Sequence, residues 1–267
     1  MKPIRNPKDR NSDDHHPSTH HPGIIITGAS RGIGAATARL LAVQGYAIGV
    51  NYLKNAEAAR EVAKSISDLG GKALCLQADV SSASQVESMF EQADQELGPL
   101  VGLVNNAAIL ETQMPLVDMD EARLDRIFAT NVKGSFLCAK AAIMRMSTNQ
   151  GGRGGVIVNV SSAAARLGSA REYIDYAASK GAIDTMTKGL ANEVADEGIR
   201  VNAVRPGFIE TDMHASGGEP DRLERVRGSI PLKRSGTAEE VAHAIAWLIS
   251  PESSYCTGSF IDIAGGR

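Results

Sequence analysis

Short apolar runs rich in β-branched residues alternate along this chain with longer stretches whose apolar positions recur every three or four residues. Residues 23–27 (GIIIT) predict a strand, and the spacing of Ile33, Thr37, Leu40, Leu41 and Gln44 predicts a helix over 33–44. A strand at 46–51 and a helix at 56–69 follow, the latter stopped by Gly70-Gly71. Runs at 72–77, 100–105, 155–161, 199–205 and 259–263 complete a set of seven strands, and helices are expected at about 83–97, 120–148, 175–197 and 237–249. Strands that alternate with helices imply right-handed β-α-β crossovers and a parallel sheet covered on both faces. Val156-Ile157-Val158-Asn159-Val160 has the nearly unbroken apolar character of a strand buried on both sides. The expected fold class is therefore α/β, a single doubly wound domain with a seven-stranded parallel sheet flanked by helices.

Composition sharpens this picture at one end. Residues 1–22 hold four of the six histidines and four prolines, with many charges and almost no apolar side chains. The run Asp13-Asp14-His15-His16 with His20-His21 could be read as a metal site. A disordered extension is the better reading, because the stretch cannot bury enough apolar area to fold around a ligand set. From Gly23 to Arg267 the composition is uniform, which argues for one domain over 23–267. Hydrophobic residues make up 43% of the 267 positions, enough for a sizeable core. With 28 basic and 31 acidic residues the net charge is −3, so there is no basic excess for nucleic acid. No apolar run approaches the roughly 18 residues of a membrane span, and the N-terminus has no signal-peptide core. Cys75, Cys138 and Cys256 are far apart and odd in number, which favours free thiols in a reducing cytoplasm.

In sheets of this kind ligands bind beyond the carboxyl ends of the strands, so the residues that follow each strand carry the candidate chemistry. After the first comes Thr27-Gly28-Ala29-Ser30-Arg31-Gly32-Ile33-Gly34, opening into a helix. Gly28, Gly32 and Gly34 would let backbone N–H groups of the loop, with Ser30 and Ile33, approach a pyrophosphate at the helix N-terminus. The second strand ends in Asn51-Tyr52-Leu53-Lys54, without the carboxylate that commonly bonds the ribose diol of NAD. Arg31 and Lys54 favour a 2′-phosphate instead, so NADP(H) is the expected cofactor and NAD(H) the secondary one. Asp79-Val80 after the third strand suits an adenine contact. Asn105-Asn106-Ala107-Ala108 after the fourth places small residues beside a ribose. Each of these could also be plain turn chemistry.

Tyr176 and Lys180 stand four residues apart on one expected helix, close enough to interact. A neighbouring ammonium and an oxidised nicotinamide ring would lower the phenol from its ordinary value near 10, fitting Tyr176 for general acid–base work. Tyr173 lacks such a partner, since Ala177 stands four beyond it. Ser161 and Ser162 end the fifth strand, and Ser162 could donate to a substrate oxygen; as a bare strand end it could equally be a cap. Asn131 lies within an expected helix, where asparagine is mildly unfavourable, which suggests a specific task.

Taken in order, TGASRGIG (27–34), DV (79–80), NNAA (105–108), Asn131, SS (161–162), YAASK (176–180) and PG (206–207) resemble the motifs of the short-chain dehydrogenase/reductase family over essentially 23–267. The resemblance implies a Rossmann-like fold and a catalytic tetrad of Asn131, Ser162, Tyr176 and Lys180. It implies that Lys180 also holds the nicotinamide ribose, that Asn131 helps retain a relay water, and that no metal is needed. Cofactor contacts are implied for Pro206, Gly207, Ile209 and Thr211, beside Asn51, Asp79, Val80, Asn105 and Ala107. The reaction implied is hydride transfer between nicotinamide and a secondary alcohol or ketone of a small molecule, such as a 3-oxoacyl or sugar substrate. Homotetramers, or homodimers, are implied through the helices at 120–148 and 175–197 and the last strand. Two positions depart from the pattern: Ala108 stands where glycine is usual, and 14 steps separate Ser162 from Tyr176, which keeps Ser161 as an alternative. The stretch 212–234, with His214, Gly217-Gly218, Arg222, Arg225 and Arg227, is expected to cover the substrate, and Arg166 is a further pocket candidate. Its arginines suit either an anionic substrate or a solvated helix face. A cofactor-binding regulator of the same fold is the alternative function, though such proteins typically lose the tyrosine or lysine kept here.

Overall fold

The computed structural model describes residues 21–267, so the extension and metal readings placed on residues 1–20 lie outside the described residues. His21 and Pro22, assigned with that extension, are joined to the fold: a His21 ring nitrogen donates to Gly45 O at 2.9 Å and Ala47 N donates to Pro22 O at 3.0 Å.

Seven strands alternate with helices: β1 (Gly23–Ile26), α1 (Gly32–Val43), β2 (Ala47–Tyr52), α2 (Ala56–Ser67), β3 (Ala73–Gln77), α3 (Ala83–Glu96) and β4 (Leu100–Asn105). Then come α4 (Glu121–Phe128), α5 (Gly134–Met146), β5 (Gly155–Val160), α6 (Ala164–Leu167), α7 (Ile174–Glu193) and β6 (Ile199–Pro206). The chain closes with α8 (Met213–Ser216), α9 (Arg222–Val226), α10 (Ala238–Ile249) and β7 (Phe260–Ile263). The strands form one sheet in the order β3-β2-β1-β4-β5-β6-β7, and every pair is parallel.

Side-chain alternation splits the core into two layers. Ile24 and Ile26 of β1 face α1, α2 and α10, where they meet Leu41, Val62, Ile66, Val241 and Ile245. Ile25 faces the other way, toward Met89 and Phe90 of α3, Cys138 and Ala142 of α5, and Ile183 of α7. Burying both faces of the sheet is what keeps its strands nearly all apolar.

One expected element is divided. The apolar period over 120–148 predicts a single helix, yet α4 and α5 are separated by a π-helical turn at Ala129–Lys133. The wide turn places Asn131 inside, where its Oδ1 accepts from Ile109 N at 2.8 Å and its Nδ2 donates to Ile109 O at 3.1 Å and Ser179 Oγ at 3.1 Å. Helical periodicity does not register one inserted residue, so the break is silent in the apolar pattern.

A buried ion pair ties α4 to the first turn of α7. Arg123 Nε lies 2.7 Å from Asp175 Oδ2, with side-chain exposures of 3% and 0%, and Arg123 Nη1 donates to Thr112 O. Removing one partner leaves an uncompensated charge in the interior. Arg123→Ala is expected to lower unfolding free energy by about 3–5 kcal/mol in urea titrations; a loss below about 1 kcal/mol would show that water or another group replaces the guanidinium.

Candidate active site

The strand order places β1 beside β4, and their chains leave toward opposite faces of the sheet, which opens a crevice at their carboxyl ends. Thr27 and Asn106 hold the two sides of it. Thr27 Oγ1 accepts from Asn106 N at 2.9 Å and Ala107 N at 3.0 Å. Asn106 Nδ2 returns bonds to Thr27 O at 2.8 Å and Gly28 O at 3.0 Å. The sequence reading assigned neither residue a role, although both stand inside the motifs it picked out.

Three glycines of the loop have distinct reasons to be there. Gly28 has φ +61°, and a Cβ on it would lie 2.9 Å from the Ala107 Cα. Gly32 has φ +54°, also in the left-handed region. Gly34 has ordinary backbone, but a Cβ would sit 2.6 Å from Asn106 Nδ2. Helix α1 begins here with no side-chain cap and no acidic residue in its first turn. By contrast, α2, α4 and α10 are capped by Asn55, Asp120 and Thr237. An uncapped N-terminus with free N–H groups and a positive dipole end fits a phosphate.

Other cofactor candidates divide into surface and scaffold. Arg31, within the loop, and Lys54, two residues past the end of β2, are both exposed. Asn51 is buried, and its amide is fully engaged: it accepts from Gly28 N at 3.0 Å and donates to Leu76 O and Ala78 O at 3.1 and 3.2 Å. Asn105 is likewise buried, with Nδ2 donating to Ser135 O and Asn159 Oδ1 at 3.2 and 3.0 Å. Both shape the site from beneath instead of presenting their side chains to it. Asp79 Oδ1 caps its own turn by accepting from Ser81 N at 2.8 Å, and Val80 is buried against the Gly134 backbone. Ala107 stays at the crevice through its contact with Gly28. On the opposite side Pro206 ends β6 and Gly207 follows it, where a Cβ on Gly207 would be 2.8 Å from Ala264 Cα. Thr211 lies near Gly32, and buried Ile209 pairs with Gly236.

The catalytic candidates meet beyond β5. Ser162 and Tyr176 line one cavity with Leu110, Phe208, Met213 and Arg222 among its other walls. Ser162 Oγ accepts from Ala164 N at 3.1 Å, so it caps a turn and faces the cavity as well. Ser161 points inward, donating to Asp184 Oδ1 at 2.6 Å, which removes it from the cavity. Lys180 is buried, and its Nζ donates to Val160 O at 2.7 Å while sitting 5.5 Å from the Tyr176 ring centre. Asn131 underlies the group through Ser179, whose Oγ donates to Tyr176 O at 2.7 Å. Tyr173 is buried, and its hydroxyl donates to Gly217 O at 3.0 Å.

Arg166 contacts Arg267 O and Asp262, Arg225 pairs with Glu172 and Glu219, and Arg227 donates to Lys233 O; none of the three lines the cavity. The side chain of His214 lies outside the described residues.

Burial sets the proton affinities here. Desolvation pushes the Tyr176 phenol up to about 12, with hydrogen bonding to Ser162 and the charge of Arg222 acting downward. Lys180 is not among the groups that lower the phenol in this geometry, so the lowering expected from its spacing to Tyr176 is not seen here. Desolvation brings the Lys180 ammonium down to about 8, opposed by the charge of Asp184.

Fold and site together define a Rossmann-fold oxidoreductase. The chain belongs to the short-chain dehydrogenase/reductase family: residues 28–267 match a family profile described as Enoyl-(Acyl carrier protein) reductase. It is 59% identical over 243 residues to the Escherichia coli K12 protein called uncharacterized oxidoreductase YgfF, covering 91% of this chain and 98% of that one. It is 38% identical to the 3-oxoacyl-[acyl-carrier-protein] reductase FabG of Staphylococcus aureus strain Mu50, over 91% and 96% of the two chains. A short-chain dehydrogenase from Burkholderia cenocepacia J2315, solved in complex with NADP, superposes with a TM-score of 0.85 at 32% identity, over 92% and 98% of the chains.

The depressed Lys180 value carries a stability consequence. Between about 8 and the ordinary 10.5, the unfolded chain holds a proton that the folded chain has released. Stability therefore rises with pH through that window and is lost as pH falls through about 8. In urea titrations from pH 7 to about 10.5, the wild type should gain stability relative to Lys180→Met. A difference independent of pH would mean that the buried amine keeps its ordinary proton affinity.

Proposed function

We propose that the chain is an NADP(H)-dependent dehydrogenase/ketoreductase that interconverts a secondary alcohol and a ketone. The carrying observation is that Ser162 and Tyr176 share one cavity, with the Lys180 amine fixed behind the phenol. The relative solved with NADP and the 3-oxoacyl reductase relative support the reading.

The residues present fit the cofactor. The uncapped α1 N-terminus and the glycine cradle would take the pyrophosphate, and Arg31 with Lys54 would take a 2′-phosphate. Lys180, Pro206, Gly207, Ile209 and Thr211 would border the nicotinamide end. Bound there, the nicotinamide supplies a hydride to the carbonyl carbon in reduction, or removes one from the alcohol carbon in oxidation.

In reduction the protein supplies the proton. With a proton affinity near 12, the Tyr176 phenol is neutral at pH 7 and can donate to the carbonyl oxygen. Ser162 Oγ–H donates to the same oxygen and stabilises its developing charge. Lys180, held by Val160 O, offers a positive charge that stabilises the phenolate that results, and a proton from solvent then returns it to phenol. Asn131 fixes the Ile109 backbone and, through Ser179, the Tyr176 end of α7.

Tyr176→Phe should cut kcat for NADPH-dependent ketone reduction by about 10²–10⁴-fold with the NADPH dissociation constant little changed. A variant that keeps wild-type turnover would end the general-acid assignment. Losing a charge-assisted contact costs about 1.5–3 kcal/mol, so Arg31→Ala should raise KM for NADPH roughly 10–100-fold and leave that for NADH nearly constant. A wild type with higher kcat/KM for NADH than for NADPH would contradict the cofactor preference.

A further inference from the structure

The cavity beside Tyr176 carries more cationic character than reduction of a neutral ketone calls for. Its lining contains Arg222 and Arg267, and no Asp or Glu is among the described residues that line it. The rest is mostly apolar, with Leu110, Leu167, Met213 and Phe208. Arg222 is more than nine-tenths buried, and its guanidinium stands 4.5 Å from the Tyr173 ring centre and 5.2 Å from that of Phe208. Nη2 donates to Glu172 Oε2 at 2.7 Å, but Nε is buried with no hydrogen-bond partner. The Glu219 carboxylate is 3.9 Å from Nε, beyond hydrogen-bonding distance.

A buried guanidinium N–H left unpaired is costly, and the cost is recovered if a ligand accepts from it. Glu172 and Glu219 do not fill this place, because Arg225 also holds both, at 2.9 and 2.5 Å. Arg267 comes to the cavity from the far end of the chain, its guanidinium 5.2 Å from the Phe208 ring centre and Nη1 donating to Ser229 Oγ at 2.9 Å. Two arginines thus flank one aromatic ring on the wall of the cavity that also holds Tyr176.

We infer that the substrate carries a carboxylate, which accepts from Arg222 Nε–H and is faced by Arg267, at the end opposite the carbonyl presented to Tyr176. This rests on the ketoreductase reading above. A carboxylate matches because it is planar, singly charged and able to accept along a guanidinium edge. Arg222 already shares its charge with Glu172, so the two arginines would leave a phosphate dianion partly uncompensated among the apolar walls.

The test uses matched substrates. Oxo-carboxylates of four to eight carbons, their methyl esters and dihydroxyacetone phosphate would be assayed with NADPH on the intact enzyme. For the best oxo acid, kcat/KM should exceed that of its own ester at least tenfold, chiefly through KM. In Arg267→Ala and in Arg222→Met the acid-to-ester ratio should fall at least tenfold. Arg267 is exposed, so its variant remains informative even where the Arg222 variant folds poorly. Esters reduced as well as acids, a preference for the phosphate, or an unchanged ratio in Arg267→Ala would overturn the carboxylate assignment and leave the ketoreductase reading standing. If none of the acids, the esters or dihydroxyacetone phosphate is reduced, both readings fall.

Discussion

Everything at the site depends on one constraint of a parallel sheet: all strands end at the same edge, and the backbone groups there must find partners outside the ladder. Between β1 and β4 the connections diverge, so no helix covers the gap. Thr27 and Asn106 satisfy the exposed groups reciprocally and hold Gly28 against Ala107. This clasp fixes the depth of the crevice. Because the loop's bonds are already met, the N–H groups opening α1 remain free to face an anion.

Beneath that edge the protein maintains a chain of buried polar groups. Ser135 Oγ donates to Asn131 O, Asn105 Nδ2 donates to Ser135 O and to Asn159 Oδ1, and Asn159 Nδ2 donates to Thr187 Oγ1. It links the π-helical turn to two neighbouring strands and to α7, the helix that carries Tyr176 and Lys180. Such groups are expensive to bury unless paired, and once paired they permit few alternative packings. Their arrangement couples the position of Asn131 to the sheet and, through Ser179, to the first turns of α7.

This layering explains what was legible in the sequence. The strands and the doubly wound order could be read because burial on both faces imposes unbroken apolar runs such as Ile24-Ile25-Ile26. Gly28, Gly32 and Gly34 could be read because positive φ or close approach excludes other residues. Local pattern could not show whether a polar residue at a strand end faces outward or inward. Asn51 and Asn105 look like ligand contacts in sequence, yet both turn into the scaffold, while Asn106, one residue on, clasps the loop. The same ambiguity held for Ser161 and Ser162, where alternation across the strand end sends one hydroxyl to Asp184 and the other to the cavity. Arg222 was legible only as one arginine among several. Its distinction is burial between Tyr173 and Phe208, which depends on how 212–234 folds back over the sheet edge.

The proton affinities show how burial and catalysis can work in the same direction. Burial disfavours both charged forms, lifting Tyr176 to about 12 and lowering Lys180 to about 8. Before reaction the phenol is neutral, and the buried ammonium has no counter-charge within hydrogen-bond reach, only the Val160 carbonyl. On the proposed reaction a proton leaves Tyr176, and negative charge then appears beside an ammonium already in place. The attraction is absent from the ground state and grows with proton transfer, so it lowers the barrier instead of tightening substrate binding. The protein meets the desolvation cost of Lys180 when it folds, and no solvent has to reorganise when the charge develops. Lys180 thus matters less as a residue that acidifies a resting phenol than as a preorganised charge awaiting the phenolate.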